Sequence, residues 1–200
     1  TTGDYNVGVG DGALTSVTEG SQNTATGYRS LYSNTTGDYN VAVGSSALYY
    51  NTTGANNTAN GWQSLFYNTT GNKNTANGYQ ALYANTTGAN NVATGYRSLR
   101  TNTTGTSNVA VGLQSLYNNT TASNNVAIGQ STLLNNTTGY SNVAYGYEAL
   151  KANTTGALNT AIGKAAGDNI TTGSSNIIIG YNIDAPSASA SNQLNIGGWI

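Results

Sequence analysis

The chain has 200 residues, of which only 6% are charged, and its net charge is −1. A charge pattern this sparse leaves no electrostatic footprint for nucleic acid or anionic lipid. With no Cys, Met or His, disulfide frameworks, Cys/His metal sites and the usual nucleophile–base pairs are excluded, and no apolar run approaches the roughly 18 residues of a membrane span.

Taken in chain order, the first feature is a glycine in "TTG". It recurs every 17 residues at Gly3, Gly37, Gly54, Gly71, Gly88, Gly105, Gly139, Gly156 and Gly173, with Gly20 and Ala122 in the two remaining places. A second glycine follows seven residues later, from Gly10 to Gly197, and no insertion breaks the register. A fixed short period is the signature of a solenoid: one unit is too short to bury its own apolar face and becomes stable when stacked on its neighbours. The expected fold is therefore all-β, a parallel β-solenoid of 17-residue coils. The chain opens within a repeat and without Met, so it reads as a piece of something longer.

Within one unit, "NTANGYQALYANTTGAN" from Asn74 to Asn90, three segments follow one another. "NTANG", which becomes "NVAVG" at 40–44 and "NVAIG" at 125–129, is short, β-branched in most coils and closed by glycine, and so predicts a strand. "GYQALY" fits one short helical turn or a second, bulged strand. "NTTG" predicts a turn, because Asn and Gly tolerate positive φ and Asn and Thr side chains bond the local backbone.

Comparing units with one another shows what each position demands. Two residues before the second glycine stands an Ala column from Ala25 to Ala161; four residues after it stands a Leu column from Leu14 to Leu150. A strict small and a strict large residue predict a thin core with Ala on one wall and Leu on the other. The opposite strand face varies between Val41 and Val43, Thr58 and Asn60, and Thr75 and Asn77. Asn in a narrow dry core is costly, so this face is assigned outward, between chains. A column from Asn6 through Asn23 and Asn40 to Asn176 can form a hydrogen-bonded amide ladder or simply suit the turn before the strand.

"NVAVG", "NVAIG" and "NTAIG" (159–163), followed three residues on by Ala47, Thr132 and Ala166, resemble the head repeats of YadA-like trimeric autotransporter adhesins and the repeats of bacteriophage tail-fibre proteins. The resemblance covers about residues 1–180; the 17-residue repeat departs from the family's shorter one through the "LYxNTTG" segment. It implies a left-handed β-roll wound as a homotrimeric rod, with two further copies of the chain as partners. The "NTTG…GYxAL" variant and the ending "NQLNIGGWI" are closer in flavour to the fibres. These readings point to an extracellular location, in a virion fibre or a cell-surface appendage. The expected function is a structural or adhesive module, a fibre shaft that presents or forms a receptor-binding surface. Its rivals are an adhesin head that binds host matrix and an ice-binding solenoid.

No catalytic residue, metal or cofactor is assigned. Asp4 and Asp38 share a column two coils apart, about 10 Å, and read as surface. The candidate surface residues are two aromatic columns. Tyr28, Trp62, Tyr79, Tyr96 and Tyr147 follow the second glycine directly, as does Tyr181, while Tyr32, Tyr49, Phe66, Tyr83 and Tyr117 follow the Leu. On a rigid surface such rings can stack on sugars or bind a protein receptor; they can equally shield the Leu row and pack on one another. The paired Thr columns (Thr35, Thr52, Thr69 and Thr36, Thr53, Thr70) do not make the flat Thr-x-Thr face that ice binding would need, because adjacent strand residues face opposite ways. The same triplets match glycosylation sequons, at Asn34, Asn51, Asn68, Asn85 and Asn102: in a bacterial or phage product they stay unmodified, while in a secreted archaeal or eukaryotic protein they are sites for dense glycans.

The repetitive roll is assigned to 1–180. Residues 181–200 are expected to form a modified last coil acting as a cap or junction: Gln193, Leu194, Asn195 and Ile196 fall in the places of Asn, Val, Ala and Val, the turn is rebuilt around Pro186, and Trp199 and Ile200 would cover the last core layer or form the seam with a following domain.

Overall fold

The computed structural model describes residues 2–197. It is a parallel β-solenoid with one three-residue strand per coil: β1 (Val7–Val9), β2 (Thr24–Thr26), β3 (Val41–Val43), β4 (Thr58–Asn60), β5 (Thr75–Asn77), β6 (Val92–Thr94), β7 (Val109–Val111), β8 (Val126–Ile128), β9 (Val143–Tyr145), β10 (Thr160–Ile162), β11 (Ile177–Ile179) and β12 (Leu194–Ile196). All twelve form a single sheet in chain order. Val41 lies beside Thr58 and Thr58 beside Thr75, so the register shift equals the repeat. Strand β12 continues that register, with Ile177 beside Leu194 and Ile178 beside Asn195. The assignment of Trp199 and Ile200 lies outside the described residues.

Neither alternative for "GYQALY" is found: among the described residues no helix occurs and each coil carries a single strand. In "GYQAL" the backbone flips into the left-handed region at Gln80 (φ 51°) and Leu82 (φ 53°), and the same signs recur at Gln63 and Leu65 and at Arg97 and Leu99. A helix would pair its backbone locally. Here the N–H of Gln80 donates to Trp62 O in the coil before (3.0 Å) and the N–H of Leu82 to Ser98 O in the coil after (2.9 Å). Left-handed φ costs an L-residue roughly 1–2 kcal/mol, and these inter-coil bonds offset it. A third left-handed position precedes the Asn column, at Asn56, Asn90 and Ser107 among others. None of these three columns holds Val, Ile or Thr, for which positive φ is most strained. The second glycine is needed for the same stacking: at Gly61 φ is 131°, and a Cβ there would lie 2.6 Å from Gly78 O.

The core is as thin as the columns imply. Ala25, Ala42, Ala59 and their equivalents are buried, as are Leu31, Leu48, Leu65 and theirs. Strand positions one and three point outward, exposed or half-exposed in every coil.

Two amide ladders run beside this core. In the first, Asn40 donates from its backbone N–H (3.0 Å) and Nδ2 (3.2 Å) to Asn23 Oδ1, and from Nδ2 to Gly54 O (2.8 Å). The pattern climbs to Asn176 and is continued by Gln193, whose N–H donates to Asn176 Oδ1 (2.8 Å). The second ladder uses the Asn of "NTTG". Asn51 Nδ2 donates to Asn34 Oδ1 (2.7 Å) and to Gly54 O (2.9 Å). Both ladders thus converge on the glycine carbonyl of each "TTG". A buried amide is tolerated when its hydrogen-bonding capacity is met, and here the stacked Asn residues between the ladder ends meet it from the coils above and below.

The second ladder corrects the sequon expectation. Asn51, Asn68 and Asn85 are fully buried and each Nδ2 donates twice. The atom that would carry a glycan is therefore occupied inside the folded coil.

The first Thr of each triplet also turns inward to the stack, with Thr52 Oγ1 donating to Thr69 O (3.1 Å). The second, as at Thr53 and Thr70, is exposed.

Candidate binding surface

The backbone sets the aromatic columns. Because each coil repeats the last, side chains at equivalent positions stand one strand spacing apart, about 4.8 Å, which is near the contact distance of stacked rings. The column after the Leu closes into a continuous pile. Tyr32 and Tyr49 stack at 5.1 Å, Tyr49 and Phe66 at 5.3 Å, and Phe66 and Tyr83 at 5.3 Å. The column after the second glycine piles Trp62, Tyr79 and Tyr96 at 4.8 and 5.1 Å. Tyr28, Tyr147, Tyr181 and Tyr117 stand outside these piles.

A third column, Tyr50 and Tyr67, was missed in the sequence. These rings stack on each other at 5.4 Å with 1° between planes and meet Tyr49, Phe66 and Tyr83 edge-on at 4.7–5.2 Å. The legible signal was the adjacent pairs Tyr49–Tyr50 and Phe66–Tyr67 in successive coils. Burial, and then the neighbouring Tyr67 hydroxyl, push the Tyr83 phenol above its ordinary range.

Cations take places between rings. Arg100 occupies the column of Tyr83 and Tyr117, its guanidinium carbon 5.1 Å from the first ring centroid and 5.8 Å from the second. Lys164 lies between Tyr147 and Tyr181 at 5.8 and 5.3 Å. Arg97 and Arg100 each donate from Nε to Gln80 Oε1 (3.2 Å), and Gln80 Nε2 donates to Gln63 Oε1 (3.0 Å), making a polar seam beside the rings.

The geometry restricts what these rings can do. Within a pile the π faces cover one another, and only edges and hydroxyls meet solvent. A flat ligand can reach a ring face only at a pile end or at a gap.

The acidic residues fall into two arrangements. Asp38 Oδ1 accepts from the Ser21 N–H (2.7 Å), and Ser21 Oγ accepts from the Asp4 N–H (3.1 Å), so this column ties coils together. At the other end, burial and then the proximity of Asp184 hold the Asp168 carboxyl above the usual range. Glu148, hydrogen-bonded by Lys151 at 2.8 Å, is held below it. No group of three or more His, Cys, Asp or Glu that could hold a metal occurs among the described residues, and no described helix is long and apolar enough to cross a membrane.

Comparison with family models, with curated proteins and with solved structures finds no match for this chain.

Proposed function

We propose that this chain is the shaft of an extracellular fibre: a left-handed roll, assembled in parallel as a homotrimer, that presents or forms a receptor-binding surface in the manner of a phage-type tail fibre. The observation that carries the reading is the outward face of the sheet. Two side-chain columns run its full length of about 53 Å, twelve strands at roughly 4.8 Å. Val9 (58% exposed), Tyr145 (57%) and Ile177 (44%) stand on it in the single chain. Apolar side chains hold most positions of these columns, and such a face marks an interaction surface in a soluble protein. Identical rods with identical strips satisfy one another by rotational symmetry, and the strict register lets every coil meet its own copy. The Thr and Asn positions of β2, β4 and β5, with Thr94 and Thr160, interrupt the apolar columns with groups that can pair with their symmetry mates or with water.

Light scattering tests the assembly. The expected mass is three times the 20.4 kDa chain, held on dilution. A stable folded monomer at micromolar concentration would overturn the reading.

A further inference from the structure

We propose that the notch at Ser45, between Tyr28 and Trp62, is a binding slot for one pyranose ring of a glycan; this deepens the receptor-binding part of the fibre reading and rests on it. The residue directly after the second glycine is an aromatic in six of the twelve coils, and in the other gaps between two rings of that column the chain inserts long side chains. Leu113 and Gln130 fill the interval between Tyr96 and Tyr147, and Lys164 fills the one between Tyr147 and Tyr181. Ser45 is the exception: it leaves a single ring's place empty inside an otherwise aromatic run.

The dimensions follow from the stack. Tyr28 and Trp62 are two coils apart, roughly 9.6 Å at the parallel strand spacing. A ring placed midway sits about 4.8 Å from each, within the usual range of stacked centroids. That is the spacing the chain itself uses between Trp62 and Tyr79 (4.8 Å). Backbone hydrogen bonds hold the interval: Ser46 N–H donates to Tyr28 O (2.8 Å) and Gln63 N–H to Ser45 O (3.0 Å). The floor is the half-buried pair Ser45 and Ser46. The Arg29 guanidinium lies over the Tyr28 ring (4.9 Å from its centroid) and the Tyr32 ring (5.6 Å); its stem leans towards the first coil, where a Cβ at Gly12 would meet its Cγ at 3.0 Å, so the slot uses the Tyr28 face turned to the third coil. Tyr28 and Trp62 remain 47% and 42% exposed.

The chemistry selects the occupant. Two aromatic faces accept the C–H faces of a ring, while the Ser45 and Ser46 hydroxyls below and the Gln63 amide at the rim suit a polyhydroxylated edge. Net charge −1 provides no phosphate-attracting field for a nucleotide. Because the ring faces inside the piles are covered, this gap is where a sugar can be sandwiched rather than merely touched by ring edges.

Trp62 reports on the slot directly. In a Trp199→Phe background it is the sole tryptophan, and its emission can be followed during titration with methyl β-glucopyranoside, methyl β-galactopyranoside and N-acetylglucosamine. A saturable change at millimolar sugar is expected. Ser45→Tyr, which installs the residue found at this position in sibling coils, should weaken it by at least about tenfold while raising the melting temperature by completing the stack. Leu113→Tyr should leave binding unchanged. Binding that survives Ser45→Tyr would overturn the assignment, as would a Trp62 response to N-acetyl-tyrosinamide but to none of the sugars. Light scattering on the same samples separates the two claims: a trimer whose Trp62 ignores sugars fails the slot alone, and a monomer that binds them fails the fibre reading alone.

Discussion

The middle coils and the last three solve the same packing problem with different chemistry. From Asn34 to Asn153 the second amide ladder is unbroken, each coil pairs an inward Ala with an inward Leu, and each amide from Asn51 onward donates twice. In the tenth coil Gly167 stands in the Leu place and Ile170 in the ladder place, and in the eleventh Ile178 stands in the Ala place. The large residue has moved to the opposite wall. A Cβ at Gly167 would meet Ile170 Cδ1, Ile178 Cγ1 and Leu150 Cδ2, each at 3.3 Å. The volume lost at one wall is thus refilled from the other two. The exchange leaves a mark: Asn153 Oδ1, facing Ile170 instead of another amide, is the buried side-chain polar atom without a partner among the described residues. The lesson is that the coil conserves its volume and its inter-coil backbone bonds, while the identity of the wall that supplies bulk is negotiable.

The largest expected effect probes the middle of this comparison. Leu82→Ala opens a cavity in a core one side chain thick and should cost about 2–5 kcal/mol, read from denaturant unfolding of the full chain. Val109→Asn, on the outward strand face, should cost less, because Asn60 and Asn77 already occupy that face. The reverse order would exchange inside for outside.

The ladder comes next. Asn102→Leu removes the donor to Asn85 Oδ1 (2.9 Å) and the acceptor of Asn119 Nδ2 (2.8 Å). One buried amide oxygen without a partner, and one buried amide donor reduced to its bond with Ala122 O (3.0 Å), should together cost about 2–4 kcal/mol. If the substitution is neutral, the polar ladder is no more than an alternative filling, as at Ile170, and the contrast between the two regions loses its energetic content.

The swap itself sharpens the comparison. Gly167→Leu is compatible with the backbone, since Gly167 has φ 60° and the Leu column sits near 50°, yet its space is occupied. Alone it should overpack the core and cost about 1–3 kcal/mol. Combined with Ile178→Ala and Ile170→Asn it restores the middle-coil pattern and gives Asn153 Oδ1 a donor, so the triple variant should recover to within about 1 kcal/mol of the parent, a strong coupling between contacting sites. Additive losses would mean that the three exchanges are unrelated.

The smallest effect is a pH dependence at the C-terminal end. The folded carboxyl of Asp168 titrates above the ordinary aspartate value, about 4, because of burial and Asp184. The folded state therefore holds the proton more tightly than the unfolded chain. The contribution is fully present below the unfolded value and is lost as pH rises through the raised folded one. Glu148, lowered chiefly by the Lys151 hydrogen bond, has the opposite sign: its contribution is present above the unfolded value and fades as pH falls through the folded one. Asp168→Asn should remove the acid-side gain, seen as a flatter dependence of the melting temperature between neutral and acid pH. An unchanged slope would rule out this carboxyl as its source.

How much was legible depends on whether a residue's role follows from its column. The period, the strand at "NVAVG", the inward Ala and Leu and the first Asn ladder all follow from comparing one coil with the next, because stacking by 17 residues brings those comparisons into physical contact. The twelfth strand, with Gln193 continuing the Asn column, follows for the same reason. The turn at "GYQAL" did not: apolar spacing there fits a helix, and the sign of φ leaves only a negative trace, the lack of β-branched residues at the flipped columns. The second ladder was hidden because an Asn in "NTTG" has one sequence signature whether it caps a turn in water or stacks in the dry interior.

By itself, then, the sequence determined a 17-residue solenoid, its register, and the two walls of its core, since each is a matter of periodicity and side-chain volume. The tertiary structure alone decided that the turns are left-handed rather than helical, that the sequon amides are buried and doubly bonded, and that the aromatic faces within the two piles cover one another. Those outcomes depend on hydrogen bonds and ring contacts between residues 17 apart, whose direction and spacing exist only once the coils are stacked.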